Sequence, residues 1–203
     1  MTYFVIRCVY WSEELNSSYE ILGEQELAAL CSKRDRFAQR ELYTRYAARV
    51  NALCRRYMSD TADAEDLTLE VMAKVLNSIG RYEYKGAGSL QAWICKLAAN
   101  MAVDKLRRKG RLRFLRLDDV EGRITAQSDI ALPNVSMDAL RLMIDKIPDT
   151  QRVILNMFCL EGYSHKEIAE ILGITEKASS SLLSKAKKML ETKIVDYIKT
   201  RND

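Results

Sequence analysis

Apolar residues recur at every third or fourth position through two long stretches of this chain, and this periodicity limits its fold more than any other feature. Three such stripes lie between residues 24 and 110, and more follow Ser136. This spacing predicts amphipathic helices rather than strands. The 203 residues include only 8 Gly and 2 Pro, the residues that the turns of a many-stranded sheet require. The sequence therefore predicts an all-α fold.

The helical periodicity is lost between Gly110 and Ser136, where many residues are polar or acidic. About twenty residues without regular structure would be unusual inside one compact domain. We therefore predict two small helical domains joined by a flexible linker. The expected boundaries are an N-terminal tail outside the fold at 1–22, domains at 23–112 and 136–200, and a linker at 113–135.

Charge and cysteine usage narrow the classes of function. A net charge of +4 is too small to identify a partner. Five scattered cysteines and a single histidine, His165, argue against disulfides, a zinc site or histidine-based catalysis, and no nucleophile motif or phosphate loop is present. The apolar segment Met1–Trp11 is shorter than the roughly 18 residues that span a bilayer. We expect a cytoplasmic protein that is not an enzyme, does not insert into a membrane, and uses no metal, cofactor or small-molecule substrate.

Several polar residues stand where helices are expected to begin. Asp60 and Ser89 are predicted N-caps of two helices in the first domain, and Thr175 of the last helix. Ser164 and Glu167 have the spacing of a capping box, in which each side chain binds a backbone N–H at the other residue.

The segment Tyr163–Leu190 is predicted to form a helix-turn-helix. A short capped helix is followed by Gly173, which permits a left-handed turn, and then by a helix rich in Ser and Lys. Polar residues on that second helix would remain free to enter a major groove. An ordinary pair of antiparallel helices is the alternative.

Two stretches of the first domain also indicate partners. Asp104–Arg116 holds seven basic residues against one acid and follows aromatic residues and a Gly-Ala-Gly-Ser loop, features that suit unstacked, single-stranded DNA; a solvated face is the alternative. Asp60–Glu70 holds five acids beside Leu67 and Leu69, which we expect to be exposed. This helix fits a protein-docking face, and an acidic first turn that complements the helix dipole is the alternative.

The order of several motifs resembles the sigma-70 family of bacterial RNA polymerase sigma factors, specifically its extracytoplasmic-function group. Region two of that family is similar to Asp66-Leu67-Thr68-Leu69-Glu70-Val71, Ser89-Leu90-Gln91-Ala92-Trp93-Ile94, Ala98-Ala99-Asn100 and Asp104-Lys105-Leu106-Arg107-Arg108. Region four is similar to Ile147-Pro148-Asp149-Thr150-Gln151-Arg152 and to the segment from Gly162 to Ile174. The resemblance covers about residues 24–200, in the family's order.

The resemblance implies binding to core RNA polymerase and promoter DNA, and an anti-sigma factor as a regulatory partner. Docking on the polymerase would use Asp63, Asp66, Leu67, Leu69 and Glu70. Recognition and melting of the −10 element would use Tyr82, Lys85, Ser89, Trp93, Asn100, Lys105, Arg107 and Arg108. The −35 element would be bound by Ser164, Lys166, Thr175, Lys177, Ser179, Ser180, Ser181, Lys185, Lys187 and Lys188.

The sequence departs from the family pattern at two places. Leu69 stands where the family often has glutamine, and no arginine occurs between Arg152 and Arg201. Arginine is the strongest reader of guanine, so we expect base reading by the serines of the last helix and by DNA shape, with its lysines on phosphates. A dimeric helix-turn-helix regulator that binds DNA without polymerase is the alternative function. It would not account for the acidic helix, the basic and aromatic patch or the linker.

Overall fold

A computed structural model describes residue 19 and the ranges 21–112 and 135–202. Within these ranges the chain is helical and contains no strand, which confirms the all-α prediction. The helices are α1 (Glu24–Ser32), α2 (Arg36–Tyr57), α3 (Thr61–Ser78), α4 (Ser89–Arg108), α5 (Met137–Asp145), α6 (Asp149–Leu155), α7 (His165–Leu172) and α8 (Glu176–Asn202). A 3-10 turn, Ile79–Arg81, follows α3, and a π-helical turn, Asn156–Leu160, follows α6.

Short polar side chains determine where the early helices begin. Asp35 precedes α2, and its Oδ1 accepts hydrogen bonds of 2.9 Å from the backbone N–H groups of Phe37 and Ala38. The bond from Ala38 is the main cause that lowers the pKa of Asp35 below its usual value. Asp60 caps α3 as predicted, because its side chain accepts from the backbone N–H of Asp63 at 3.1 Å.

The described residues divide into two compact units. One comprises those within 1–55 and 60–98, and its core contains fully buried residues from four helices: Leu27, Leu42, Val50, Leu67 and Leu90. Tyr19 also packs in this unit, with its hydroxyl donating to Asp35 at 3.3 Å and its carbonyl accepting from Arg45. The packed chain therefore includes Tyr19, which lies inside the segment predicted as a tail; residues 1–18 lie outside the described part.

The other unit comprises residues 56–59 and the described residues from 99 onward. Its core joins the second half of α4 to α5–α8, with Val103, Leu106, Ile154, Ile168 and Ala186 all fully buried. The long helix α8 packs against α5, α6 and α7. Of the predicted linker, residues 113–134 lie outside the described residues.

Candidate nucleic-acid interface

The helix-turn-helix is built by local capping, as the sequence predicts. Ser164 Oγ accepts from the backbone N–H of Glu167 at 3.2 Å, and Glu167 Oε2 accepts from the backbone N–H of Ser164 at 2.8 Å. Gly173 ends α7 with φ 70° and ψ 38°, the left-handed conformation that favours glycine. Thr175 Oγ1 then accepts from the backbone N–H of Ala178 at 3.1 Å and begins α8. The capping box, the glycine turn and the Thr175 cap are all confirmed.

The two sides of α8 differ sharply in exposure. Leu182, Leu183 and Ala186 are buried, and so is Ser179, whose side chain is 0% exposed. The opposite side carries a polar stripe at helical spacing: Lys177, Ser181, Ser184 and Lys188. We call these four residues the outer stripe of α8. The two lysines are exposed and lie at the ends of the stripe, and the two serines between them are partly exposed. Lysine ammonium groups suit contacts with phosphates, and serine hydroxyls suit contacts with base edges.

Ser179 does not lie on the outer face of α8, contrary to the prediction. Its hydroxyl is 2.9 Å from Nδ1 of His165, and the imidazole stacks on Phe158 with ring centroids 4.5 Å apart. Ser179 is three and four residues from Leu182 and Leu183, so helical periodicity places it on the buried side. The same periodicity identifies Ser184, which the sequence reasoning missed, seven residues after Lys177. The histidine thus has a packing role between α7 and α8.

The other predicted residues of the helix-turn-helix remain at its surface. Ser180 is partly exposed on α8, and the remaining members are exposed: Ser164, Lys166, Thr175, Lys185 and Lys187. The hydroxyls of Ser164 and Thr175 are occupied by the caps described above, so their first role is structural. By helical periodicity, exposed Lys185 and Lys187 lie on either side of the outer stripe.

The loop between the 3-10 turn and α4 is held together by one hydroxyl. Ser89 Oγ donates to the carbonyl of Gly86 at 2.6 Å, accepts from the backbone N–H of Lys85 at 3.1 Å, and lies 2.6 Å from the hydroxyl of Tyr82. The rings of Tyr82 and Trp93 have centroids 5.7 Å apart. The structure therefore brings together four residues predicted to contact the −10 element: Tyr82, Lys85, Ser89 and Trp93.

Ser89 is not the N-cap of α4, and this prediction is wrong. The backbone N–H of Leu90, at the start of α4, donates instead to Glu24 Oε2 at 3.0 Å. Glu24 Oε1 accepts from the hydroxyl of Tyr46 at 3.2 Å. Burial, and then the charge of Glu24, raise the pKa of Tyr46 to about 12. A carboxylate from α1, sixty-six residues away in the sequence, thus does the capping that was assigned to a local serine.

The second half of α4 carries the basic residues predicted for the −10 element. Asn100 and Arg107 are exposed, but Asn100 Oδ1 accepts from the hydroxyl of Tyr163 at 3.3 Å, and Arg107 Nη2 donates to the carbonyl of Ile171 at 2.6 Å. Arg108 is exposed, and its Nε donates to the carbonyl of Asp104 at 3.4 Å. Lys105 is partly buried. In this conformation two of the predicted DNA contacts therefore bind the helix-turn-helix segment of their own compact unit.

A buried arginine that the sequence reasoning did not single out organises the same unit. Arg152 is 1% exposed, forms an ion pair with Asp149, and donates to the carbonyl of Tyr57 and to Ser59 Oγ, both at 3.2 Å. The other oxygen of Asp149 lies 2.6 Å from Arg111 Nε. A buried charge needs such partners, because an uncompensated one costs several kcal/mol.

The acidic helix α3 presents a mixed surface. Leu69 is 59% exposed between the exposed side chains of Asp66 and Glu70, and Asp63 is partly exposed. Leu67 is 0% exposed and packs in the core, so its predicted exposure is wrong. The exposed apolar group on this face is therefore Leu69, framed by carboxylates.

Two classes of site are absent from the part of the chain that the structure describes. No helix there is long and apolar enough to cross a membrane. Nor does that part contain a group of three or more His, Cys, Asp or Glu residues that could hold a metal ion.

Comparisons with known proteins agree with the motifs. Residues 42–112 match the model of the family described as Sigma-70 region 2, and residues 137–190 match Sigma-70, region 4. The chain is similar to the ECF RNA polymerase sigma factor SigE of Mycolicibacterium smegmatis, with 28% identity over 78% of this chain and 60% of that relative's length. It is also similar to the ECF RNA polymerase sigma factor SigM of Mycobacterium tuberculosis, with 26% identity over 88% of this chain and 87% of the relative.

A solved structure of CnrH in complex with the cytosolic domain of CnrY aligns with a TM-score of 0.49 and 17% identity, over 86% of this chain and 97% of that one. The family matches lie on the segments whose motifs were recognised, region two before region four. This chain belongs to the sigma-70 family of RNA polymerase sigma factors and to its extracytoplasmic-function group.

Proposed function

We propose that this protein binds core RNA polymerase and directs transcription initiation at promoters whose −10 and −35 elements it recognises. The observation that carries the proposal is the outer stripe of α8, which presents lysines and serines on a helix whose opposite side is buried. A helix exposed in this way fits the major groove, where phosphate contacts position it and hydroxyls contact base edges.

The −10 element is assigned to the loop before α4 and to α4 itself. Tyr82 and Trp93 offer aromatic faces on which an unstacked base can pack, and exposed Lys85 offers a charge for the backbone. Asn100 and Arg107 follow Trp93 at intervals of seven residues and so lie near one face of α4. Both side chains are exposed and each now makes one hydrogen bond to the helix-turn-helix segment, so contact of these groups with DNA would compete with those bonds.

Docking on the polymerase is assigned to the exposed face of α3. Exposed Asp66 and Glu70 lie on either side of Leu69, and partly exposed Asp63 lies one turn earlier in the helix. An apolar centre with a charged rim suits a protein partner, and the acidic charge would repel DNA. A partner that covers this face would compete with the polymerase, and an anti-sigma factor is the regulatory partner expected for the family. We place the protein in the cytoplasm, where it would meet the polymerase, and expect no enzymatic activity of its own.

The test is reconstitution of the full chain with core RNA polymerase from its own bacterium, followed by run-off transcription from genomic fragments. We expect co-elution and discrete start sites. Leu69→Glu should weaken polymerase binding by about tenfold or more, since it places a charge in an apolar contact. Val195→Glu is the matched control, because Val195 is also exposed, at 43%, and lies beyond the outer stripe of α8.

Equal binding by the two variants would contradict the assignment to α3. Failure of the wild-type chain to bind an active core enzyme, together with tight DNA binding alone, would favour the dimeric regulator instead. For the −35 element, Lys188→Ala should weaken binding to all sequences alike and lower the salt dependence by about one counterion, whereas Ser181→Ala should change the preferred sequence.

A further inference from the structure

The start of α4 is anchored from outside its own helix. The first backbone N–H groups of a helix have no partner within it, and a buried one must find a partner elsewhere. Leu90 is fully buried, and its N–H binds the carboxylate of Glu24 at 3.0 Å. The other oxygen of that carboxylate accepts from the hydroxyl of Tyr46, whose side chain is 5% exposed. Glu24 therefore joins α1, α2 and α4 at one point.

That point adjoins the loop assigned to the −10 element. Ser89, the residue before Leu90, holds the carbonyl of Gly86, the N–H of Lys85 and the hydroxyl of Tyr82. The first turn of α1 and the loop residue Tyr84 also line one shallow groove. A displacement of the first turn of α4 would therefore move the loop, and with it Tyr82 and Lys85.

From this geometry we propose that Glu24 is a positioning residue for promoter opening. Its carboxylate fixes the first turn of α4 and, through Ser89, holds the loop in the conformation that captures an unstacked base. Glu24 itself makes no contact with DNA in this proposal. The proposal rests on the proposed function, because it concerns the opening step of that function. A hydrogen bond to a charged group is strong enough for its loss to change an equilibrium by about tenfold.

The experiment compares Glu24→Ala, Glu24→Gln and Glu26→Ala in the full chain. Alanine removes both hydrogen bonds and leaves the N–H of Leu90 unsatisfied. Glutamine keeps them, because its carbonyl can accept from Leu90 and its amide can donate to the Tyr46 oxygen. Glu26→Ala is the matched control, since Glu26 is exposed in the same first turn of α1.

Four quantities are measured: hydrogen exchange of the Leu90 amide in the free chain, binding of the chain to core polymerase, closed-complex binding of the holoenzyme to duplex promoter, and the rate of promoter opening. For Glu24→Ala we expect exchange about tenfold faster, opening about tenfold slower, and unchanged polymerase and closed-complex binding. Transcription initiation from a template with a preformed bubble should be less affected than initiation from duplex, because the bubble removes the opening step. Glu24→Gln should restore opening to within about threefold, and Glu26→Ala should match the wild type.

Unchanged opening by Glu24→Ala would overturn the positioning role. A loss of polymerase binding as large as the loss of opening would also overturn it, because it would indicate a general loss of structure. So would a loss of opening in Glu26→Ala as large as that in Glu24→Ala. Failure of the wild-type chain to bind the polymerase or open any promoter would overturn the proposed function, and with it this role. If the wild-type chain opens promoters, the results for the Glu24 variants decide the positioning role and leave the proposed function unaffected.

Discussion

Removal of the Ser164 hydroxyl tests whether the capping box holds the helix-turn-helix together. In Ser164→Ala the backbone N–H of Glu167 loses its 3.2 Å bond, while the 2.8 Å bond from the Ser164 N–H to Glu167 Oε2 remains possible. Ser164 is exposed, so no cavity forms. Loss of a serine cap costs about 1 kcal/mol, within a range of about 0.5–2. Because one of the two reciprocal bonds is retained, we expect the free energy of unfolding to fall by about 1 kcal/mol.

The assay is urea unfolding of the full chain followed by circular dichroism, together with hydrogen exchange of the α7 amides. With a slope of about 1–3 kcal/mol per molar urea, the midpoint should fall by roughly 0.3–1 M. Ser164→Asn is the matched variant, because asparagine caps as well as serine. It should keep both the midpoint and the protection of α7.

A midpoint for Ser164→Ala equal to that of the wild type would refute the reasoning, as would an equal fall in Ser164→Asn. A loss well above 2 kcal/mol would also contradict it, because an exposed cap has no buried contacts to lose. The local readout separates these cases, since faster exchange in α7 without a change in α4 places the effect at the cap.

Three further predictions follow from burial and backbone geometry. The pKa of Tyr46 is raised to about 12 from about 10, so its contribution to folding stability is fully present below pH 10 and is lost as pH rises through 12. In Tyr46→Phe the free energy of unfolding should therefore fall less steeply with pH in this range than in the wild type. Equal slopes for the two proteins would contradict this. Gly173→Ala should cost about 1–2 kcal/mol from the left-handed backbone alone, since an added Cβ meets no atom within 4 Å, and equal melting temperatures would count against it. Cys159 is exposed, whereas burial raises the pKa of the Cys31 thiol to about 11. Iodoacetamide at pH 8 should therefore alkylate Cys159 before Cys31, as measured by peptide mass spectrometry, and faster labelling of Cys31 would contradict its burial.

Local chemistry made much of the fold and the site predictable. The cap at Asp60, the capping box at Ser164 and the left-handed Gly173 depend on residues within four positions of one another, so their partners are visible in the sequence. The α3 stripe also has a fixed period, and it could have shown that Leu67 shares the buried face with Val71 and Val75. Leu67 is buried because its position on the helix, and not the charge of its sequence neighbours, decides which way its side chain faces.

Residues far apart in sequence account for the remaining differences. The cap of α4 comes from Glu24, and no property of residues 85–94 indicates that a carboxylate from α1 satisfies the N–H of Leu90. The partners of Arg152 are equally remote, since the carbonyl of Tyr57 lies ninety-five positions away. Such bonds depend on which helices pack together, and a local pattern carries no such information.

The sequence by itself determined the helices and a family whose motifs lie on this chain in order, whereas the predicted linker at 113–135 stays a prediction. Each of these follows from a periodicity or a short spacing, because backbone hydrogen bonding and side-chain burial repeat every few residues along a helix. The tertiary structure alone decided which serine side chains of α8 remain exposed and which carboxylate binds the first turn of α4. Ser179 and Ser181 are both serines of one helix, but Ser179 is buried against His165 whereas Ser181 is partly exposed. Packing makes that distinction because a polar atom taken out of water must be satisfied by whichever group lies against it.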